Sequence, residues 1–391
     1  MKVCVLTSMF PTRVAPYSGV FVTRRIEALR AQGVSVDTYA FARSETKAIR
    51  LIRKLLGKQQ KEVFGQYIPS DNPDITYKTV CVKLGLVGIA LSALTHEGYF
   101  AWKSYRAAQK IIQDAYDILH VHWLYPTGKV GNMLAEKWNI PCVITCHGSD
   151  VNVTMQKKGF TSPCVSVMER ADKVEFVSHR LLETAESCGY SGRNAQVLPN
   201  GIPAMPDFGV KEQKEKKVVG FVGNLIDVKR VTLFPTIFRM IAEQYPDIEF
   251  LLIGDGTKRQ WLEDSLAGLP VRFAGRVPQQ KVLELMFSMD VLILPSRNEG
   301  WPCVVLEAHS CGTPVVGSDC GGIPEAIGDD DFVVKDQDGF EITFAERVVR
   351  VLNQSIPVDG ERLRDRAKQY LWENLQRQEI KTYQKLLSRE G

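Results

Sequence analysis

The sequence has no uninterrupted apolar run of the ~18 residues that a membrane-spanning helix requires, so an integral membrane protein is not expected. The nearest approach is LGLVGIALSAL at 84–94, which is short and follows Lys83; it reads first as a buried helix and second as a membrane-contact element. The opening MKVCVLTSMF has one Lys and a short apolar run ending at Pro11, with no small-residue cleavage site, so no secretory signal is expected. Strong charge of either sign is also missing. The net charge is +4, which argues against a dedicated nucleic-acid binder. The nine cysteines are scattered, and Cys142 and Cys146 lie four apart rather than at the two-residue gap of a zinc knuckle or redox motif. Reduced thiols in a cytoplasmic protein are the expectation. Two nucleotide signatures are absent as well. No G-x-x-x-x-G-K-[ST] occurs, and no G-x-G-x-x-G follows the first apolar run, which argues against P-loop and nicotinamide-dinucleotide folds.

What is present is a rhythm. KVCVLTS, VSVDTYAF, ILHVHW, CVITCHG, DKVEFVS and NAQVLPNGI read as strands, and FVTRRIEALRAQG between the first two as a helix with Gly33 just past its end. This is the β-α-β alternation of a parallel sheet covered on both faces. Near residue 205 the Pro- and charge-rich IPAMPDFGVKEQKEKK reads as a linker. The rhythm then restarts through KVVGFVGNL, IEFLLIGDG, VRFAG, DVLILPS, TPVVGSD and DDFVVK. We therefore expect two sheet domains, residues 1–205 and 206–370. The tail, RDRAKQYLWENLQRQEIKTYQKLLSREG, is expected to be fully helical and amphipathic, with residues 371–391 completing the first domain. Segment 41–65 carries Arg43, Lys47, Arg50, Arg53, Lys54, Lys58 and Lys61 against Glu45 and Glu62. It reads as a basic amphipathic helix, suited either to an ordinary surface or to an anionic membrane through 43–61.

Ligands of open α/β sheets bind beyond the carboxyl ends of the strands. His147, the stretch from Gly223 to Arg230, Gly254-Asp255-Gly256 and Glu299 all fall at such ends, and their convergence would make an inter-domain site. In RNEGWPCVVLEAHSCG a loop holding Glu299 and Gly300 runs into a helix holding Glu307. A helix start offers free N–H groups and a positive dipole end, and carboxylates accept hydrogen bonds from sugar hydroxyls. The seven residues between the two acids would act as a spacer that turns a strand end into a helix start. CGGIPE supplies a second Gly-rich loop after the next strand. Lys229 near a phosphate would act as a point charge. His120, His122 and His147 suggest a metal site, but no H-E-x-x-H accompanies them, and satisfied polar groups at strand ends are the expectation. GDDDF at 328–332 reads as a turn of solvated acids.

Together these segments resemble glycosyltransferase family 4, retaining enzymes of the GT-B fold. The resemblance rests on NEGWPCVVLEAHSCGTPVVGSDCGGIPE, with PYSGVFVTRRIEAL, HGSD, VLPNGI, GNLIDVKR, LLIGDG, VRFAGRV and the last helix beside it. It implies two Rossmann-like domains with parallel sheets facing a central cleft. It also implies a nucleoside-diphosphate sugar donor, with uridine or guanosine expected, no metal cofactor, and a saccharide or lipid-linked saccharide acceptor. Such an enzyme would act in the cytoplasm or at the inner membrane face, in surface-polysaccharide assembly. By position, Glu307 would hold the ribose, Glu299 would lie by the transferred sugar, and Lys229 would neutralise the diphosphate. Gly19 would let backbone approach that diphosphate, Arg276 and Val277 would meet the base, His147 would sit by the donor sugar, and Asp150 would support its loop. Gly223, Asn224, Arg230, Gly254 and Gly300 complete the donor set. Asn224 stands where the family has Arg, and Arg230 where it commonly has Gly, so Arg230 is a candidate second cation. A GT-B phosphorylase, a nucleotide-sugar epimerase or a non-catalytic sugar binder are the other readings of the same segments.

Overall fold

A computed structural model describes residues 1–11, 18–46, 51, 77–209 and 216–388. The chain divides into two units, Met1–Pro199 with Leu375–Gly391, and Asn200–Asn374.

The first unit holds strands β1 (Lys2–Thr7), β2 (Ser35–Glu45), β3 (Tyr77–Leu84), β4 (Ile118–His122), β5 (Cys142–Cys146), β6 (Lys173–Phe176) and β7 (Ala195–Val197). They form one sheet in the order β3-β2-β1-β4-β5-β6-β7, and all its pairings are parallel. β4 and β5 are buried along their whole length, as expected of strands covered on both faces. The helices are α1 (Val20–Ala31), α2 (Leu86–Leu94), α3 (Gly98–Ile111), α4 (Thr127–Trp138), α5 (Thr161–Arg170) and α6 (His179–Ser187). Ser178 caps α6, its hydroxyl accepting from the Leu181 N–H at 3.3 Å.

The second unit holds β8 (Val218–Val222), β9 (Glu249–Ile253), β10 (Val271–Gly275), β11 (Val291–Leu294), β12 (Val315–Ser318) and β13 (Val333–Val334), in the order β10-β9-β8-β11-β12-β13 and again parallel. Its helices are α7 (Phe234–Gln244), α8 (Arg259–Ser265), α9 (Gln279–Phe287), α10 (Cys303–Ser310), α11 (Ile323–Ile327), α12 (Phe340–Leu352) and α13 (Gly360–Gln369). Its core includes a run of aromatic rings. Phe238 stacks on Phe250 at 4.1 Å between centroids, and Phe234 lies between Phe238 and Phe221 at 5.2 and 5.0 Å.

Three expectations are corrected. The tail is not one helix: α13 ends, and α14 (Trp372–Leu387) begins after a break at Tyr370–Leu371. There the chain forms a backbone bridge to Ile202, whose N–H donates to the Tyr370 carbonyl while the Trp372 N–H donates to the Ile202 carbonyl, both at 3.0 Å. That tertiary pairing replaces the local helical bonds. The basic segment does not start as a helix either. Residues 41–45 continue β2, in register with Val80 to Leu84 of β3, while 47–50 and 52–76 lie outside the described residues. Third, the apolar run at 84–94 is not a buried helix. α2 exposes Leu86, Val87, Leu91 and Leu94 and buries only Gly88 and Ser92. Edge strand β3, hidden in the sequence by its alternating polar pattern, gives α2 only a small seat.

Each sheet has a point where the strand order reverses, β1/β4 in the first unit and β8/β11 in the second. Connections leave such neighbours in opposite directions and open a crevice at their carboxyl ends.

Candidate functional site

In the second unit the switch point sets two loops side by side. The loop after β8 carries Gly223 and exposed Asn224 into a short 3-10 turn, Asp227–Lys229. The loop after β11 carries Glu299 and Gly300 into α10. The Arg297 N–H donates to the Val228 carbonyl at 2.8 Å, tying one loop to the other. The Lys229 ammonium and the Glu299 carboxylate meet in a direct ion pair, with side chains only 19% and 14% exposed. A cation and an acid from separate turns thus share one partly dry spot, where their fields are stronger than in water.

Glu299 is also fixed from behind. The Gly322 N–H donates to its carbonyl at 2.9 Å, and Gly321 crosses that carbonyl at φ +56°. A Cβ on Gly321 would lie 2.1 Å from the Glu299 oxygen, so the second Gly-rich loop exists here to let two backbones touch. Glu307 is the fifth residue of α10, in its second turn, and Oε1 accepts from Gln279 Nε2 at 2.9 Å. Nothing in the chain near Glu307 points to Gln279, which belongs to α9. Arg276 is exposed and Val277 half-buried on the approach to α9, and the Gly254 N–H donates to the Gly275 carbonyl at 2.8 Å. Arg230, buried and at φ 51°, is committed elsewhere. Its guanidinium pairs with Asp336 and lies 4.8 Å from the centre of the Phe340 ring, so a diphosphate would have to compete with Asp336 for it.

In the first unit His147 follows β5 and His122 ends β4, the neighbouring strand. His122 Nδ1 and His147 Nε2 share a hydrogen bond of 3.1 Å, and the Phe21 ring of α1 lies 4.5 Å from that of His147. Burial, with the nearby His120 and Arg25, holds both imidazoles well below the ordinary histidine pKa. Two neutral rings sharing one proton have linked tautomers: whichever nitrogen donates fixes the other ring. Asp150 organises the same turn. Its buried carboxylate accepts from the backbone N–H groups of His147, Gly148, Val151 and Leu124 at 2.9–3.3 Å. Gly19, at φ +66°, precedes α1, and a Cβ there would lie 2.6 Å from the Met9 carbonyl atoms. The close approach that requires glycine is therefore to the loop's own backbone.

Behind the histidines lies a buried charge network. Arg25 donates to Glu175 through Nη2 and to Glu379 of α14 through Nε at 2.9 Å. His120 Nδ1 lies 2.6 Å from the Tyr383 hydroxyl and 3.0 Å from Glu379, while Nε2 lies 2.7 Å from Thr145 Oγ1. His120, Glu175 and Glu379 bring metal-type ligand atoms within 4.8 Å of one another, but the cation between the two carboxylates is the Arg25 guanidinium. The 328–332 acids form a capped turn, with Asp329 accepting from the Asp331 N–H at 3.1 Å and Arg347 bonding the carbonyls of Asp330 and Asp331. A hollow of about 700 Å³ lined by Lys217, Asp290 and Arg364 opens at the amino ends of β8 and β11, away from these loops.

Two Rossmann-like units, each a parallel sheet whose strand order reverses once, define the class by fold as doubly wound α/β. Comparison with known proteins gives the family. The model described as Glycosyltransferase Family 4 matches residues 18–204, and that described as Glycosyl transferases group 1 matches 216–354. The chain is 28% identical over 353 residues to the putative teichuronic acid biosynthesis glycosyltransferase TuaC of Bacillus subtilis, covering 84% of this chain and 83% of that protein. Its fold is similar to that of HepE from Anabaena, solved in complex with UDP, with a TM-score of 0.68, 17% identity, and 98% and 100% of the two chains covered. The lipopolysaccharide outer core galactosyltransferase WaaB is similar at a TM-score of 0.70 and 16% identity, with both chains fully covered. The protein belongs to the glycosyltransferases of the family 4 type and has the GT-B fold.

Proposed function

We propose that this glycosyltransferase moves a hexosyl group, with retention of anomeric configuration, from a nucleoside-diphosphate sugar to a saccharide or lipid-linked saccharide acceptor. The setting would be assembly of a cell-surface polysaccharide at the inner face of a membrane. The observation that carries the reading is the Lys229–Glu299 pair at the β8/β11 reversal. A diphosphate entering there would take Lys229 from Glu299. The ammonium would then meet the charge that grows on the leaving group as the glycosidic bond breaks. Glu299, released, would face the transferred sugar. Glu307, steadied by Gln279, would accept from the ribose hydroxyls. His147, with its tautomer tied to that of His122, would face the sugar, and Asp150 would hold its turn. The name of the TuaC relative supports the surface-polysaccharide setting, and the UDP bound to HepE supports a uridine donor. In this reading Lys229 supplies the positive charge at the diphosphate, and no metal ion is needed.

A thermal-shift screen of UDP- and GDP-sugars tests donor binding, since a ligand at 100 times its Kd adds about 2.7 kcal/mol. Radiolabel transfer from the best donor should persist in EDTA. Lys229→Ala should lower kcat by about 10²-fold or more, a loss larger than its cost in donor affinity. Glu307→Ala should weaken donor binding by about tenfold or more, the value of hydrogen bonds to a charged group. Unchanged turnover and affinity in both variants, or an inverted product by NMR, would overturn the assignment.

A further inference from the structure

Helix α2 sorts its side chains against the rule for a soluble surface. Its inner face is small: Gly88 sits where an added Cβ would lie 3.2 Å from Leu84 and 3.4 Å from Tyr99, and the Ser92 hydroxyl donates back to the Gly88 carbonyl at 2.8 Å. Its outer face is large and aliphatic, with Leu86, Val87, Leu91 and Leu94 exposed by 59, 74, 37 and 77%. Scattered exposed leucines need no explanation, but four from one helix of nine residues make a patch.

The sequence flanking that helix is mostly basic. Residues 77–111 carry Lys83, Lys103, Arg106 and Lys110, with Lys78 beside Asp114, and one acid of their own, Glu97, which is paired with Arg43. Exposed Lys157 and Lys158 precede Gly159, which rests on the His96 ring just past the end of α2, where an added Cβ would lie 2.2 Å from that ring. The sequence that leaves β2 at Glu45, the register partner of Leu84, is itself basic, with Lys47, Arg50, Arg53, Lys54, Lys58 and Lys61.

We infer that α2 docks the protein on an anionic lipid bilayer, with Leu86, Val87, Leu91 and Leu94 among the acyl chains and the surrounding cations at the headgroups. Nine residues rise only about 14 Å, too short to cross a hydrocarbon core of about 30 Å, so the helix lies in the interface. A second copy is the poorer occupant, because a two-fold contact would set the same positive rim against itself. The inference extends the membrane-facing part of the proposed function and is independent of its donor chemistry.

Co-sedimentation of the full chain with phosphatidylcholine vesicles, with and without about 30 mol% phosphatidylglycerol, tests it. Wild-type protein should bind the anionic vesicles and lose binding as salt rises. The double variant Val87→Asp/Leu94→Asp, at the two most exposed positions, should partition about tenfold less or worse, with melting temperature and donor-induced shift unchanged. Lys157→Glu/Lys158→Glu should weaken binding at low salt. Failure of wild-type protein to sediment with anionic vesicles, or equal partition of wild type and the aspartate variant, overturns the inference. So does a dimer present in wild type and absent in that variant, which would assign the face to a second copy. A missing donor shift in both proteins would count against the proposed transfer and leave the vesicle result standing.

Discussion

Lys229 and Glu299 lie 70 residues apart in the chain and form one ion pair, because β8 and β11 are neighbours whose following loops lie side by side. Their positions at strand ends were legible from the sequence, and their contact was not. The same holds for Glu307, whose place in a helix could be read while its partner Gln279 could not. His122 drew notice only as one of three histidines of a possible metal site. Its neighbour across β4 and β5 gives it a different part, since His122 is in register with Thr145, two residues before His147. The usable signal was a His ending one strand beside a His following the next. Gly321 yields a prediction at this scale. Alanine there would hold a left-handed φ at roughly 1–2 kcal/mol and press a methyl group on the Glu299 carbonyl. Gly321→Ala should lower kcat about tenfold or more, while a melting curve of the second unit shifts only modestly. Wild-type turnover in that variant would show that the Glu299 backbone tolerates displacement.

Among the elements, α14 shows why a pattern can be right about a face and silent about what meets it. Its apolar residues Tyr383 and Leu386 pack with Val3, Val5, Ile26 and Leu29, as an amphipathic tail must do somewhere. Its buried Glu379 is a different matter, because a charge inside a helix face is read from sequence as solvated. Arg25 on α1 and His120 on β4 change that, and with Tyr383 they satisfy the carboxylate. Removing one member of such a set strands the others. Glu379→Ala should therefore destabilise the first unit by about 3–5 kcal/mol in denaturant melts, because Arg25 keeps only Glu175. A loss below about 1 kcal/mol would mean water reaches the guanidinium. Helix α2 fails the pattern in the other direction: its hydropathy is that of a core helix, and its small inner residues turn it outward.

At the scale of the molecule, buried ionisable groups set how the fold answers to acid. His122 and His147 are kept neutral by burial and by the Arg25 guanidinium nearby, whereas the unfolded chain takes up protons near the usual ~6.5. Their contribution is whole above that pH and is lost as pH falls below it. Burial alone would raise the Glu379 carboxyl, but Arg25 and His120 hold it down to about 2. Its contribution is present above the unfolded value of 4.5 and is lost as pH falls from there toward about 2. The melting temperature of the first unit should thus fall in two stages, one below about pH 6.5 and one below about pH 4.5. His122→Asn should flatten the first stage only. A single stage, or a first stage unchanged in that variant, would contradict the assignment.

Apolar runs of strand length, glycines at their ends and acids set in a loop and a helix are local properties, carried by neighbours in the chain. They were enough to determine the two-sheet, Rossmann-like architecture, the family, the placing of Lys229, Glu299 and His147 at strand ends and that of Glu307 in a helix. Which of those groups touch, that Asp336 holds Arg230, that Tyr370 breaks the tail and that α2 faces outward were decided only by tertiary structure. Each of these depends on a partner distant in sequence, and the free energy of burying or pairing a side chain is set by what the fold brings beside it.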